Sequence, residues 1–403
     1  MSTKSQLIGA VEIGTSKVAV LIGEFNHERS LHIIGMGECA SEGVTKGAIV
    51  DFKAASESTQ RALLAAEQSA GVRIKEVILA QSGGHLDGCY NEASVTVSVA
   101  DNRVDRADIH AVCQLAKSKS IPAGRSVVHH IRRPFRLDGR LVSDPRHLVG
   151  RRLEVGYWTV HGQEALIANQ LYAIRGFGLD VQDIVLSSLA SGAVLTTPED
   201  RQNGVLVIDI GAGTTDYALY RDGCAQITGV LPVGGSHLTN DLGLGLRLAT
   251  IHAEKLKLLY GRAQVATRDR KETVLINDVP TIGEPPIRRL PIEQITAVRT
   301  RETFEVVRKK LNDAFLPETT AAGVLLTGGM SLLPGIETVA ANVFGVTACR
   351  AEPPEWVVEN LRDPRYSTVL GLLSYGLDAQ GQSQKGKRWG VRSLWREFFG
   401  AGS

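Results

Sequence analysis

"VIDIGAGTTDYALY", residues 207–220, decides how this chain is read. An apolar run stops at Asp209, breaks over Gly211, Gly213, Thr214 and Thr215, and resumes as a second apolar run. A looser copy, "AVEIGTSKVAVLIGEF", fills residues 10–25 and breaks after Glu12 at Gly14, Thr15 and Ser16, followed by Lys17. The breaks are too short for a helix and are flanked by β-branched and aliphatic residues. Each copy therefore predicts a β-hairpin, residues 7–13 with 17–25 and residues 205–210 with 215–220. Glycine leaves no side chain to hold a ligand away, so the N–H groups of each turn can converge on an anion such as phosphate. Thr15, Ser16, Thr214 and Thr215 add hydroxyls, and Lys17 adds a positive charge. Asp209, with Glu12 in the matching place, is expected to face a magnesium ion, Asp209 through water, because Mg2+ keeps much of its hydration shell. A turn that occurs twice predicts a di- or triphosphate clamped between two similar lobes.

A third stretch completes the expected site. "GVLLTGGMSLLPGIE", residues 323–337, predicts a strand ending at Thr327, then a turn, then a helix after Pro334. Gly328 and Gly329, beside Met330, let a flat adenine or ribose lie against the backbone. The P-loop pattern GxxxxGK[ST] and the dinucleotide fingerprint are both absent from the sequence. Composition bounds the rest. A chain of 403 residues exceeds one usual hydrophobic core, and 43% apolar with 22% charged residues is ordinary for a globular protein. No run approaches the ~18 apolar residues of a membrane span. The opening "MSTKSQ" lacks a secretory signal, which predicts a protein inside the cell. The five cysteines show no CxxC spacing, so neither zinc nor a disulfide framework is expected. His129 and His130 have no metal spacing and read as ordinary strand residues. A net charge of +2 argues against a nucleic-acid partner.

The two hairpins and the glycine pair, in this order, resemble the actin-like ATPase superfamily. The closer resemblance is to the FtsA family of bacterial cell-division proteins. It is carried by "IIGMGECASEGVTKGAIVD", "VVHHIRRPFRLDG", "HAEKLKLLYG" and "YSTVLGLLSYG" together with the hairpins. The resemblance implies an α/β, actin-like two-lobed ATPase fold, a duplicated ribonuclease-H-like core with an α+β subdomain 1C inserted in place of actin's 1B. Subdomain 1A is expected over residues 1–84 and 164–200, the 1C insert over 85–163, 2A over 201–235 and 316–364, and 2B over 236–315. A closing helix of the first lobe would take residues 365–380. The insert also reads independently as α+β, with strand-like "ASVTVSV" and "RRLEVGYWTV" around a helix that shows Ile109, Val112, Cys113 and Ala116 on one face. In 2B the sequence predicts a strand at "TVLIND" and a helix through "AVRTRETFEVVRKKL". Bound ATP with Mg2+ is implied, and the resemblance adds Gly234, Gly235, Glu254 and Lys257 to the nucleotide contacts. Fast ATPases of the superfamily carry Gln or Glu ahead of an Ala-rich helix to position water. Here "VLSSLASGAVL" offers Ser187 or Ser188, so turnover is expected to be slow or absent.

The C-terminal end has its own pattern. Residues 381–388 are polar and basic and predict a flexible linker containing Lys385, Lys387 and Arg388. In residues 389–403, Val391, Leu394, Trp395, Phe398 and Phe399 share one helical face, Arg392 and Arg396 lie opposite, and Trp389 marks the entry. That pattern predicts an amphipathic helix lying on an anionic membrane. Its apolar burial, roughly 5–10 kcal/mol, is nearly offset by ordering about ten residues, so single tails bind weakly and polymers of the chain bind firmly. The resemblance supplies the partners: the C-terminal peptide of FtsZ, further copies of the chain and later divisome proteins, at the cytoplasmic face of the bacterial inner membrane. FtsZ contacts are expected at Arg288, Arg289, Arg299 and Arg301 of 2B. A small-molecule kinase of the same superfamily and a PilM-like pilus scaffold are the alternatives, and the aromatic tail speaks against both.

Overall fold

The computed structural model describes residues 6–25, 31–97, 101–266, 271–275 and 286–384. Two sheets repeat one plan. In the first, the strands Gln6–Ile13, Lys17–Phe25 and Leu31–Ala40 form an antiparallel meander, and Glu76–Gln81 and Asp180–Leu186 extend it in parallel from Gln6–Ile13. In the second, Val205–Ile210, Thr215–Arg221 and Cys224–Leu231 form the meander, and Val324–Thr327 and Ala348–Arg350 the parallel extension.

Period-two alternation explains how each sheet is covered on both faces. Val11, Ile13, Val18 and Val20 pack with the helices Phe52–Ala70 and Glu164–Arg175. Ile8, Ala10, Ala19 and Leu21 point the other way, against Val369, Leu370, Leu372 and Leu373 of the helix Ser367–Gln384. That helix crosses the helix Ser187–Leu195 at Gly371, where a Cβ would lie 1.8 Å from the carbonyl oxygen of Ala190, so the crossing admits only glycine. In the second lobe, Leu206, Ile208 and Ile210 pack on Phe304, Phe315 and Phe344.

The insert is an antiparallel sheet in which Arg152–Gln163 pairs with Asp87–Thr96, Arg125–Arg132 and Phe135–Leu137, and Arg140–Val142 extends the edge. The helix Arg106–Lys117, capped by a reciprocal Asp105–Asp108 box, buries Ile109, Val112, Cys113 and Ala116 against it. His129 accepts a hydrogen bond from the Leu186 N–H at 3.2 Å, and burial pulls its pKa down to about 4, so it is a neutral strand residue. The second lobe adds the helices Gly235–Leu246, Thr250–Tyr260 and Arg289–Leu311 around Leu242, Ala253, Leu256 and Ile292.

Two local expectations change. Strand pairing at "TVLIND" occupies Thr273–Val274, opposite Ile287–Arg288, and residues 276–285 lie outside the described residues. The closing helix runs to Gln384, through the first part of the stretch expected to be a linker. Gln is a good helix former and Gly381 alone costs about 1 kcal/mol, which a helix already anchored by its buried first turns absorbs. No described helix is long and apolar enough to cross a membrane. Lys385, Lys387, Arg388, Trp389, Val391, Arg392, Leu394, Trp395, Arg396, Phe398 and Phe399, expected to form the membrane-binding end, lie outside the described residues.

Candidate functional site

The two hairpin turns close with the same hydrogen bond: Gly14 N–H to the Lys17 carbonyl and Gly211 N–H to the Thr214 carbonyl, both 2.9 Å. They meet across a cleft of about 560 Å³. A Cβ on Gly213 would sit 2.3 Å from Thr15 Oγ1 of the opposite turn, so a bare backbone here lets the lobes approach. The cleft is lined by Glu12, Gly14, Thr15, Ser16 and Lys17 on one side and by Asp209, Gly211, Gly213, Thr214 and Asp216 on the other. Gly235, Glu254, Lys257, Gly328, Gly329 and Met330 continue the lining toward the far end. Gly328 holds φ at 82°, and a Cβ on it would lie 2.4 Å from Asp209 Oδ1.

Two sequence-predicted residues sit elsewhere. Thr215 is fully buried and donates its hydroxyl to the Val233 carbonyl at 2.8 Å, because the strand alternation that turns Thr214 and Asp216 to the cleft turns Thr215 away. Gly234 packs beneath the second turn, with the Gly211 carbonyl 2.5 Å from its would-be Cβ. Of the arginines, Arg288 and Arg301 are exposed. Arg289 pairs with Glu272 and Glu293, and Arg299 with Asp241 and Glu302. Ser187 lines the cleft with its hydroxyl 3.5 Å from the Gln81 carbonyl, and Ser188 is buried.

Charge in the cleft is concentrated and poorly solvated. Lys17 Nζ lies 3.7 Å from Glu38 and 3.9 Å over the Tyr366 ring, without a hydrogen-bond partner. Burial lowers its pKa, opposed by Glu12 and Glu38. Burial pushes Glu12 up to about 7 against the pull of Lys17, and burial with the nearby Asp209 pushes Asp216 up to about 8. Asp209 is raised by burial, while hydrogen bonds from Ser191 (2.6 Å) and Thr368 (2.9 Å) work the other way. At the far end Lys257 reaches Glu254 at 2.7 Å, Thr239 at 3.1 Å and the Gly235 carbonyl at 3.3 Å, and Thr239 also donates to Glu254.

These features fit a nucleotide with a hydrated cation. Glu12 Oε2 and Asp216 Oδ1 are buried acceptors without partners, and Lys17 Nζ is a buried donor without one. Such groups cost free energy until a ligand satisfies them. Among the described residues no group of three or more His, Cys, Asp or Glu side chains is placed to hold a metal ion. Sequence reading missed Asp216, Ser82, Ser191, Glu38 and Thr368. Asp216 carried a usable signal, since it lies on the same strand face as Thr214.

Two lobes of one plan around a shared cleft, with an α+β insert on the first, define an actin-like fold. Solved structures bear this out: PilM in the PilM-PilN type IV pilus biogenesis complex superposes with a TM-score of 0.64 at 18% identity, covering 92% of this chain and 98% of that one. MreB5 of Spiroplasma citri bound to AMPPNP gives 0.55 at 14% identity over 95% and 99%. The family model for cell division protein FtsA matches residues 206–371, and that for the SHS2 domain inserted in FtsA matches residues 83–161. The chain is 33% identical to cell division protein FtsA of Pseudomonas aeruginosa over 93% of its length and 90% of the relative, and 31% identical to that of Escherichia coli K12 over 96% and 94%. It belongs to the FtsA family.

Proposed function

We propose that this chain binds ATP with Mg2+ between its lobes, assembles into filaments and tethers FtsZ to the cytoplasmic face of the bacterial inner membrane during cell division, helping to recruit later divisome proteins. The observation that carries the nucleotide reading is the pair of matched turns facing each other at Gly213 and Thr15, with Lys17, Glu12 and Asp216 left unsatisfied around them. Lys17 and the turn N–H groups take phosphate oxygens, the carboxylates of Asp209 and Glu12 orient the water shell of Mg2+, and Gly328, Gly329 and Met330 bracket the nucleoside. The cation supplies charge neutralisation at the phosphates. Turnover is slow, because a hydroxyl at Ser187 neither accepts a proton from water near neutral pH nor fixes its orientation well. The domain partition 1A, 1C, 2A and 2B, FtsZ capture at exposed Arg288 and Arg301, and membrane attachment through residues 389–403 complete the proposal from family membership and the sequence pattern.

Co-sedimentation with anionic vesicles, with and without Mg-ATP, compares the full chain with one ending at Gln384. Pelleting that needs residues 385–403 and strengthens with nucleotide is the expected result. Both chains remaining in the supernatant under every condition would sink the tether.

A further inference from the structure

Residues 82–86 leave the first lobe at the end of Glu76–Gln81 and enter the insert at Asp87–Thr96, but on the way they touch the second lobe. Ser82 donates to Asp216 Oδ2 at 2.8 Å and lies 3.1 Å from Thr214 Oγ1, so a first-lobe hydroxyl holds both polar side chains at the end of the second turn. Gly83 has φ 136°, a conformation that side-chain-bearing residues rarely adopt. A Cβ on Gly84 would lie 2.8 Å from Pro232. Beyond this root the insert also rests on the second lobe. Trp158 Nε1 donates to Thr228 Oγ1 at 3.0 Å, and Arg133 donates to the Gln226 carbonyl at 2.7 Å. Thr228 and Gln226 lie on Cys224–Leu231, the neighbour of the strand that carries Asp216, where Asp216 pairs with Val230. The insert is thus joined covalently to one lobe and seated on the other.

From this geometry we propose that Ser82 is a positioning residue that couples phosphate binding at the second turn to the seating of the insert on the second lobe. Asp216 lines the cleft, its Oδ1 buried without a partner while Oδ2 is held by Ser82. A phosphate with its hydrated cation engages Thr214 and Asp216, competes with Ser82 for both, and so shifts the one segment that leads into the insert. The coupling rests on the nucleotide reading given above.

Hydrogen–deuterium exchange tests it on the full chain, nucleotide-free and saturated with Mg-ATP, with binding measured on the same samples by equilibrium dialysis. In the natural chain, saturation changes exchange at least twofold in peptides covering residues 82–96 and 152–163. Ser82→Ala, also saturated, loses that change, and Ser82→Thr restores it. Thr228→Val cuts the seating from the far end, so residues 152–163 exchange equally fast in both states while nucleotide still binds; it also stands in should Ser82→Ala fail to fold. A natural response in Ser82→Ala or Thr228→Val, or none in the saturated natural chain, overturns the coupling. A natural chain that dialysis shows to bind no Mg-ATP overturns the nucleotide reading, and the coupling with it.

Discussion

The first and second turns share a hairpin, a closing hydrogen bond and a place in the same sheet plan, yet their chemistry differs. The first carries a cation, Lys17, held by Glu38 and Tyr366 of its own lobe. The second carries two acids and no cation, and its acids are held by hydroxyls of the opposite lobe: Asp209 by Ser191 and Thr368, Asp216 by Ser82. Duplication supplied the backbone cradle twice, and divergence divided the work. On the function proposed above, the first turn supplies the positive charge for phosphate, and the acids of the second share with Glu12 the orientation of the cation while bonded to the partner lobe.

The largest effect expected from this division is at Lys17. Lys17→Ala removes the ammonium beside the first turn and should weaken Mg-ATP binding roughly 10- to 100-fold, as loss of a charge-assisted hydrogen bond does. Titration calorimetry measures it, and a loss below twofold would mean that the turns share the phosphate equally.

Next comes pH. Glu12 and Asp216 have folded-state pKa values raised to about 7 and about 8 by burial. These two acids therefore hold more protons in the native state than in the unfolded chain, and above about pH 6.5, where buried histidines such as His129 are neutral in both states, the nucleotide-free protein should lose stability as pH rises toward 8. Thermal melts at pH 7 and 8 check the sign, and Glu12→Gln with Asp216→Asn should flatten the difference. A rise in Tm toward pH 8 would contradict the burial of these acids.

Adjacent threonines give a smaller contrast. Thr215→Val leaves the Val233 carbonyl without its donor and should cost about 1 kcal/mol of stability with nucleotide affinity unchanged. Thr214→Val should do the reverse, lowering affinity several-fold with little change in Tm. Equal effects on both quantities would erase the distinction between a wall and a contact. The smallest effect is at Glu38, whose pair with Lys17 is partly exposed; Glu38→Gln should tighten ATP binding by no more than about fivefold, the scale of a surface ion pair.

The hairpins and the glycine pair were legible because their signal is local, a period-two apolar run broken by glycine. The hydroxyls that hold the acids were not. Thr368 is 159 residues from Asp209 and Ser82 is 134 from Asp216, so only the folded chain brings them together. Thr215 was misassigned for a nearer reason, since counting alternate residues through the turn would have placed it on the opposite face. The helix end at Gln384 escaped because composition marked residues 381–388 as polar, and polarity alone does not end a helix.

The helix Ser367–Gln384 begins with Thr368 on the cleft's Asp209 and ends one residue before the C-terminal segment 385–403. At 1.5 Å per residue it is a rod of about 25 Å, and a tilt of about 5° at its first turn sweeps its far end through about 2 Å. A displacement of Asp209 in the cleft would thus be carried, enlarged, to the residue after which the segment 385–403 begins.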